Sequence, residues 1–498
     1  MTKHASSKPL NAHEKRERIK TVRHRIEGAH DYDTWRALAQ ELDQLEGNEA
    51  WKVNPVSPYF QHGMIEQRLT RLQAWRKSKD WGQIIFSLRE GLHRNLGNLS
   101  NVELYKHTHF GTKRLIDDYI TEVNNQLNYL CDHDIAELAG TEKLLFFKNT
   151  GHSFGRSALL LSGGANMGMF HMGVLKALFE QKLLPRVISG SSAGSIMGSL
   201  VCSRIDSELP GVFSGEALDL HVWRRFDLGD IWRNKALMDP AQLEAFLRKN
   251  IGEYTFEEAY RRSRRIMNIT VSPTDPHHQP RLLNYLTTPH LTLWSAVMAS
   301  CAVPGLFPPV TLMSKDGSGE YRPYMPSVQW VDGSLKSDLP TRRLAELYNV
   351  NHHIVSQTNP HVVPFIADQT RQAGWISFLG EVVKSEVQHR SKQVLNLSAY
   401  GLGQGLLKQV LDSAAAVVEQ QYYGDVTIHP PFRPTHYAHL VGDMSHARYR
   451  EWVLDGERAT WPKIMAIRDQ TIIGQTLEDC IQRIKRQRRK KEVSVTVS

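Results

Sequence analysis

The chain has 498 residues, of which 41% are hydrophobic and 23% charged, and it carries a formal net charge of +9. This length predicts two or three domains, and the ordinary composition excludes wholesale disorder. The moderately positive charge favours anionic surfaces without specifying which.

Four cysteines lie far apart and show neither CxxC nor zinc-like spacing: Cys131, Cys202, Cys301 and Cys480. This pattern is typical of reduced, buried thiols in a cytosolic protein, and we expect no metal site. The first 25 residues are basic and lack an apolar core, so we expect no secretory signal. No apolar stretch is long enough to span a bilayer. We therefore expect a soluble, cytoplasmic protein that at most lies on a membrane or lipid-droplet surface.

Residues 1–30 are polar and basic and predict an arm that leads into a helix. From Trp35 onward, apolar residues recur at helical spacing until Gly47 ends the pattern. Similar patterns follow Pro58 and continue to about residue 145. We predict an all-helical region without catalytic residues.

A strand–helix–strand pattern begins at Ser157. Residues 158–161 are an unbroken apolar run, as in a central parallel strand, and residues 170–180 predict a helix after a glycine-containing loop. Residues 187–188 then predict a second strand. Because this is one βαβ unit, the carboxyl ends of both strands should meet at one edge of a parallel sheet.

The second strand leads into Gly190-Ser191-Ser192-Ala193-Gly194. This Gly-x-Ser-x-Gly pattern is typical of a nucleophile elbow, a tight strand-to-helix turn that exposes a serine hydroxyl. The alternative is an ordinary turn of small residues.

The glycine loop of the βαβ unit has three interpretations. A Walker P-loop requires Lys and Ser/Thr after its last glycine, but Met169 follows Gly168. A dinucleotide fingerprint requires glycine where Ala165 stands and an acidic residue at the end of the next strand, where Ser189 stands. An oxyanion loop with backbone N–H donors from Gly164, Ala165 and their neighbours fits better.

The next 125 residues predict alternating helices and strands, with helices over 240–250, 256–262 and 294–302, a strand over 266–271, and a polar loop over 315–327 that is a candidate flap. Residues 328–331 then predict a short strand that leads into Asp332-Gly333. An Asp-Gly pair after a strand is often only a hairpin turn. Beside an elbow and an oxyanion loop, Asp332 is the leading candidate base for Ser192. Such a Ser–Asp dyad would attack an ester carbonyl, form an acyl-enzyme and admit water.

Beyond residue 344 we predict strands over 354–357 and 425–429, amphipathic helices over 364–397, and two final helices. The last helix ends in seven basic residues between Arg483 and Lys491. These could form a solvated tail, an anionic-lipid contact or a nucleic-acid patch. No nucleic-acid-binding signature supports the last option.

Three motifs together resemble the patatin-like phospholipase family: the glycine loop ending at Gly168, the elbow around Ser192, and Asp332-Gly333. Further segments resemble a branch of triacylglycerol lipases known from fungal lipid droplets and plant oil bodies: residues 152–156, 281–287, 301–307 and 334–340. That branch carries a helical N-terminal domain of unknown function, to which residues 35–51 and 95–125 are similar.

The resemblance implies an α/β fold, a three-layer α/β/α sandwich with a mainly parallel central sheet. It implies a basic arm (1–30), a helical domain (31–150), a catalytic domain (155–345) and a mostly helical C-terminal extension (346–498). It assigns Ser192 as nucleophile and Asp332 as base, without cofactor or metal. The implied oxyanion donors are Gly163, Gly164 and Ala165, with Ala193 as a further donor, and the motif glycines are Gly168, Gly190, Gly194 and Gly333.

Two positions depart from the family pattern. Ala165 replaces a third glycine and keeps its N–H donor. Met167 replaces a basic residue, which weakens the case for a phospholipid headgroup preference. Phospholipase, lysophospholipase and transacylase activities on acyl lipids remain alternatives.

Two alternative functions do not belong to this family. A Ser-His-Asp triad is available in chain order through His352, His353 or His361. A non-enzymatic lipid-binding or scaffold protein is the other.

Overall fold

The computed structural model describes residues 11–221, 238–275, 279–333, 339–360, 424–431, 433, 440, 442 and 444–497, with side chains to residue 489. The chain divides into two compact units. Unit 1 comprises Met1–Arg156, Ala177–Leu183 and Thr460–Ser498, and unit 2 comprises Ser157–Lys176 and Leu184–Ala459.

Between residues 12 and 154, unit 1 is built of helices. These are α1 (Ala12–Glu27), α2 (Tyr32–Glu46), α3 (Glu49–Val53), α4 (His62–Ser78), α5 (Trp81–Gly91), α6 (Arg114–Asp132) and α7 (Thr141–Phe154). Helix α1 begins where the Asn11 side chain accepts from the N–H of Glu14, whose carboxylate accepts from the N–H of Asn11. Helix α2 begins at Asp31 and ends at Gly47, which has φ 87°. The described part of the basic N-terminal segment is thus helical.

Unit 2 is built on a seven-stranded sheet. The strands in chain order are β1 (Arg156–Leu161), β2 (Val187–Gly190), β3 (Ile266–Pro273), β4 (Arg281–Asn284), β7 (Trp330–Asp332), β8 (Val350–Ser356) and β9 (Val426–Ile428). Their order across the sheet is β4-β3-β2-β1-β8-β9, and β7 pairs with β3. The β1–β2, β2–β3 and β8–β9 pairs are parallel, whereas β4 and β7 run antiparallel to β3. The predicted α/β class with a mainly parallel sheet is confirmed.

Helices lie between these strands in the chain and after the last of them. They are α8 (Phe170–Glu180), α9 (Ala193–Cys202), α10 (Leu209–Ser214), α11 (Pro240–Ile251), α12 (Phe256–Ser263), α13 (Leu293–Ser300), α14 (Thr341–Tyr348) and α15 (His446–Thr460). Strand β1 is buried from Ala158 to Leu161 and β3 along its whole length, because both lie inside the sheet.

One prediction for unit 2 was wrong. The polar segment 315–327 is not a plain loop, because a separate two-stranded hairpin enters it, made of β5 (Met313–Lys315) and β6 (Tyr321–Pro323). The Asp316 side chain accepts from the N–H groups of Ser318 and Glu320 and so fixes the turn between them.

The last helix, α16 (Ile464–Val497), completes unit 1. Four of its residues belong to the buried cluster that α4 to α7 form, namely Ile473, Leu477, Cys480 and Ile484. Among the described helices, none combines the length and apolar character needed to cross a bilayer.

Several sequence predictions fall outside the described residues. These are the helices over 364–397, the candidate His361, and residues 334–338 of one family-like segment. All four cysteines are free and buried, as predicted.

Candidate active site

The two loops that carry the candidate nucleophile and oxyanion donors start at the same edge of the sheet. Strands β1 and β2 are parallel neighbours, and their last residues, Leu161 and Gly190, are register partners. The glycine loop therefore leaves β1 beside the point where the elbow leaves β2, as the βαβ pattern predicted.

Ser192 lies in a strained turn between β2 and α9. Its φ is 48° and its ψ −121°, a conformation that non-glycine residues rarely adopt. A Cβ at Gly190 would overlap the backbone of Gly194, and a Cβ at Gly194 would overlap the carbonyl of Leu161. The Gly-x-Ser-x-Gly spacing thus follows from backbone contacts on both sides of the serine.

The backbone of Ser192 is held by hydrogen bonds on each side. Its N–H donates to Ser300 Oγ at 3.0 Å. Its carbonyl accepts from the Ser195 N–H at 2.9 Å and from Ser195 Oγ at 2.6 Å. Ser192 itself is half-buried and precedes the first residue of α9, whose N-terminal dipole favours negative charge nearby.

The glycine loop packs directly on neighbouring segments. A Cβ at Gly164 would overlap the side chain of Thr358, and a Cβ at Gly168 would overlap the Cβ of Ala193. Ala165, which stands where the family has glycine, has φ 47°. The backbone therefore makes the left-handed turn here with alanine in place.

A buried network lies behind the glycine loop. His171 is fully buried, and its Nε2 lies 2.9 Å from the Ser162 carbonyl, so this nitrogen carries the proton. Its Nδ1 lies 2.7 Å from Ser356 Oγ and accepts from that hydroxyl. Thr358 donates its N–H to Ser162 Oγ at 2.8 Å and its hydroxyl to the Gly163 carbonyl at 3.1 Å, and its Oγ1 also lies 3.0 Å from His171 Nε2. Burial lowers the pKa of His171 to about 4, so the ring is neutral and acts as a fixed donor and acceptor.

Asp332 is the last residue of β7. It is 1% exposed, pairs with Val271 across the β3–β7 ladder, and donates its N–H to the Ala302 carbonyl at 3.1 Å. A Cβ at Gly333 would overlap the Thr270 backbone, so the residue after Asp332 must be glycine for this close approach.

Cys301 is buried and directly follows the last residue of α13. Burial and the negative charge of Asp332 raise the pKa of its thiol well above the usual range, and hydrogen bonds with Ser195 and Ser192 act in the opposite direction. Cys301 lies between Ser300, whose hydroxyl accepts from the Ser192 N–H, and Ala302, whose carbonyl accepts from the Asp332 N–H, so this segment bonds to both predicted residues.

Several residues of the site were missed by the sequence analysis: His171, Ser300, Cys301 and Thr358. His171 could have been noticed as a lone histidine in the apolar run Phe170-His171-Met172. Cys301 opens the family-like segment 301–307, but that resemblance assigned it no role. Ser300 and Thr358 carry no local signal, because their partners lie far away in the sequence.

Of the three candidate histidines of the alternative triad, His352 and His353 are described, and both bond to residues other than Ser192 and Asp332. His352 Nδ1 is 3.0 Å from Ser157 Oγ, near the amino end of β1, whereas the glycine loop leaves its carboxyl end. The N–H of His353 donates to Asp425 at 2.7 Å. Within the described residues, no group of His, Cys, Asp and Glu side chains is arranged to hold a metal ion.

Comparison with known proteins identifies the family of the chain. Residues 12–152 match a domain of unknown function (DUF3336), and residues 159–345 match the patatin-like phospholipase family. A triacylglycerol lipase of Arabidopsis thaliana, SDP1L, is 40% identical over 95% of this chain and 60% of its own length. Triacylglycerol lipase 4 of Saccharomyces cerevisiae is 36% identical over 89% of this chain and 50% of its own length. Triacylglycerol lipase ptl3 of Schizosaccharomyces pombe is 33% identical over 91% of this chain and 95% of its own length.

The chain belongs to the patatin-like phospholipase family, in the branch that combines a DUF3336 domain with the patatin domain. It spans 60% and 50% of the lengths of the Arabidopsis and Saccharomyces relatives, respectively.

Proposed function

We propose that this protein is a lipid acyl hydrolase that cleaves triacylglycerol through a Ser192–Asp332 dyad. The carrying observation is the strained Ser192 turn and the buried Asp332, whose backbone N–H groups bond to Ser300 and Ala302, two residues apart in the chain. The names of the relatives support triacylglycerol as the substrate.

The reaction uses the side chains in two steps. Asp332 accepts the proton of Ser192 Oγ, which attacks the ester carbonyl and forms a tetrahedral intermediate. The N–H groups of Gly163, Gly164 and Ala165, with that of Ala193 at the start of α9, stabilise the oxyanion. The alcohol leaves with the proton from Asp332, and water then hydrolyses the acyl-enzyme by the same route.

The test is hydrolysis of a triacylglycerol emulsion and of phospholipid vesicles by wild type, Ser192→Ala and Asp332→Asn. We expect both variants to lose about 10³-fold or more of the activity. Undiminished turnover by Ser192→Ala would contradict the dyad.

The same assay separates the alternative activities. Higher rates on phospholipid or lysophospholipid would favour a phospholipase, and acyl transfer to added monoacylglycerol or lysolipid would favour a transacylase. Binding of lipid without turnover by wild type would favour a lipid-binding protein. Met167 stands where the family loop has a basic residue, which weakens the case for a phospholipid headgroup preference.

We further propose a cytoplasmic protein in peripheral contact with a membrane or lipid droplet, because triacylglycerol is water-insoluble and must be met at an interface. The proposed domains are those of the sequence analysis: residues 1–30, 31–150, 155–345 and 346–498. The family matches over 12–152 and 159–345 support the middle two.

A further inference from the structure

The basic end of α16 extends past the helix that it packs on. Helices α6 and α16 run parallel in unit 1, joined by Asp117–Arg468 at 2.6 Å and Asp132–Arg483 at 2.8 Å. Helix α6 ends at Asp132, and the last described buried residue of α16 is Ile484. Beyond this point α16 continues without a buried side chain among those described.

The segment that continues is strongly cationic. Lys485, Arg486 and Arg489 are exposed and Arg488 is half-buried. No ion pair involves any of the four among the described side chains, and the sequence holds no acidic residue between Asp479 and Glu492. A helix that presents unpaired cations around its axis is complementary to an extended anionic surface.

An aromatic stack joins the start of α5 to the end of α6. The rings of Trp81 and Tyr129 are 4.5 Å apart, and those of Tyr129 and His133 are 4.0 Å apart. Tyr129 is 39% exposed and lies between Asn128 and Asp132, the two α6 residues that Arg483 contacts. Partly exposed aromatic rings beside cations are typical of surfaces that bind at the headgroup level of a lipid layer.

We propose that the basic end of α16 and this aromatic stack form a docking surface for an anionic phospholipid layer. The proposal rests on the proposed function, since it gives the enzyme a means of reaching an interfacial substrate.

The test is co-sedimentation of the whole protein with phosphatidylcholine vesicles with and without phosphatidylserine. We expect binding that needs phosphatidylserine, falls with salt, and drops at least tenfold when Lys485, Arg486, Arg488 and Arg489 are all changed to Glu. The matched control changes four exposed cations of the same unit to Glu, namely Lys15, Arg16, Arg71 and Arg89, and should bind as wild type.

Two results would overturn the proposal: equal binding by the two quadruple variants, or tighter binding of the basic helix to single-stranded RNA than to these vesicles. Hydrolysis of a short soluble ester should be unchanged in both variants. Absence of that activity in wild type would instead contradict the proposed function.

A second inference comes from the connections between Ser192 and Asp332. Residues 300–302, at the end of α13, contact both. The Ser300 hydroxyl accepts from the Ser192 N–H at 3.0 Å and donates to the Thr270 carbonyl at 2.8 Å. Two residues later, the Ala302 carbonyl accepts from the Asp332 N–H at 3.1 Å.

These bonds close a ring. Thr270 precedes Val271, which is the register partner of Asp332. The connections therefore run from Ser300 through β3 to Asp332, and from Asp332 through Ala302 back to Ser300, which also holds the Ser192 backbone. We infer that Ser300 is a positioning residue, which fixes the strained Ser192 backbone relative to the strand that carries the base. This inference also rests on the proposed function.

The test compares Ser300→Ala with Ser295→Ala. Ser295 is on the same helix, is equally buried, and bonds to Met313 and Thr292, away from Ser192. For a soluble ester we expect Ser300→Ala to lower kcat about tenfold with KM within twofold, and to slow labelling of Ser192 by a fluorophosphonate equally. Ser300→Thr, which keeps the hydroxyl, should recover most of the rate.

A merely structural role predicts parallel losses in thermal stability and kcat for both alanine variants. That result, or unchanged labelling in a folded Ser300→Ala protein, would overturn the inference. Full activity of Ser192→Ala would instead contradict the proposed function and leave the stability comparison intact.

Discussion

Gly168 lies so close to Ala193 that no side chain fits between them. The contact joins the end of the glycine loop to the first residue of the helix that follows Ser192. The two loops at the candidate site are therefore packed on each other and cannot shift independently.

We expect Gly168→Ala to disrupt this contact and to lower esterase activity at least tenfold, because the added methyl group pushes the oxyanion loop away from Ser192. The measurement is kcat/KM for a soluble ester together with the thermal midpoint. Gly63→Ala, in α4, is the control, since its Cβ meets no atom within 4 Å. Equal activity of the two variants would show that the contact does not matter.

At Ala165, in contrast to Gly168, we expect a substitution to stabilise the protein. Its φ of 47° disfavours any residue with a Cβ. We expect Ala165→Gly to keep its activity and to raise the free energy of unfolding by about 0.5–1 kcal/mol, as measured by urea denaturation. Ala259→Gly, inside α12, should instead lower it by about 1 kcal/mol or more. A destabilised Ala165→Gly protein would mean that this turn carries no strain.

His171 should make unit 2 sensitive to mild acid. Its pKa is lowered by burial to about 4, below the usual 6.5, so the unfolded chain binds a proton before the folded chain does. This stabilising contribution is complete above pH 6.5 and declines as the pH falls toward 4, by roughly 3 kcal/mol in total.

The measurement for His171 is the thermal midpoint of wild type and of His171→Gln between pH 7.5 and pH 4.5. The difference between them should shrink as the pH falls, because glutamine does not titrate. A difference that is constant with pH would contradict the assigned neutral ring.

Asp469 predicts the reverse trend for unit 1. Burial raises its pKa to about 7, with Arg468 and the Tyr105 hydroxyl opposing the shift and Asp117 adding to it. The folded chain therefore keeps a proton that the unfolded chain loses, and stability declines as the pH rises from about 4 to 7. Asp469→Asn should gain in thermal midpoint over wild type across this range, whereas the exposed Asp118→Asn should not. A gain that does not depend on pH would contradict the shift.

The sequence alone predicted the parts of the site that have local signals. The βαβ unit, the elbow at Ser192 and the Asp332 turn are contiguous patterns of small and apolar residues, so periodicity and spacing are enough to locate them. The pairing of Ser192 with Asp332 was predicted from the elbow, the oxyanion loop and the Asp-Gly turn taken together, and the family resemblance supported it.

The residues that hold the site in place could not be predicted this way. Ser300 reaches Ser192 across 108 positions, and Thr358 reaches Ser162 across 196. A serine at the end of an apolar helix has the same local signal whether it caps that helix or supports a nucleophile. The hairpin in the segment 315–327 was missed for a related reason, because its three-residue strands are too short to show alternation.

Helix α16 has a consequence for synthesis on the ribosome. Ile473, Leu477, Cys480 and Ile484 complete the core of unit 1, yet about 300 residues of unit 2 are translated before them. The helices up to residue 156 must therefore wait, with part of their apolar surface uncovered, until the ribosome has made α16. Unit 1 begins to leave the ribosome first, but its core is completed last. Chaperone protection during translation should therefore matter most for its nascent helices.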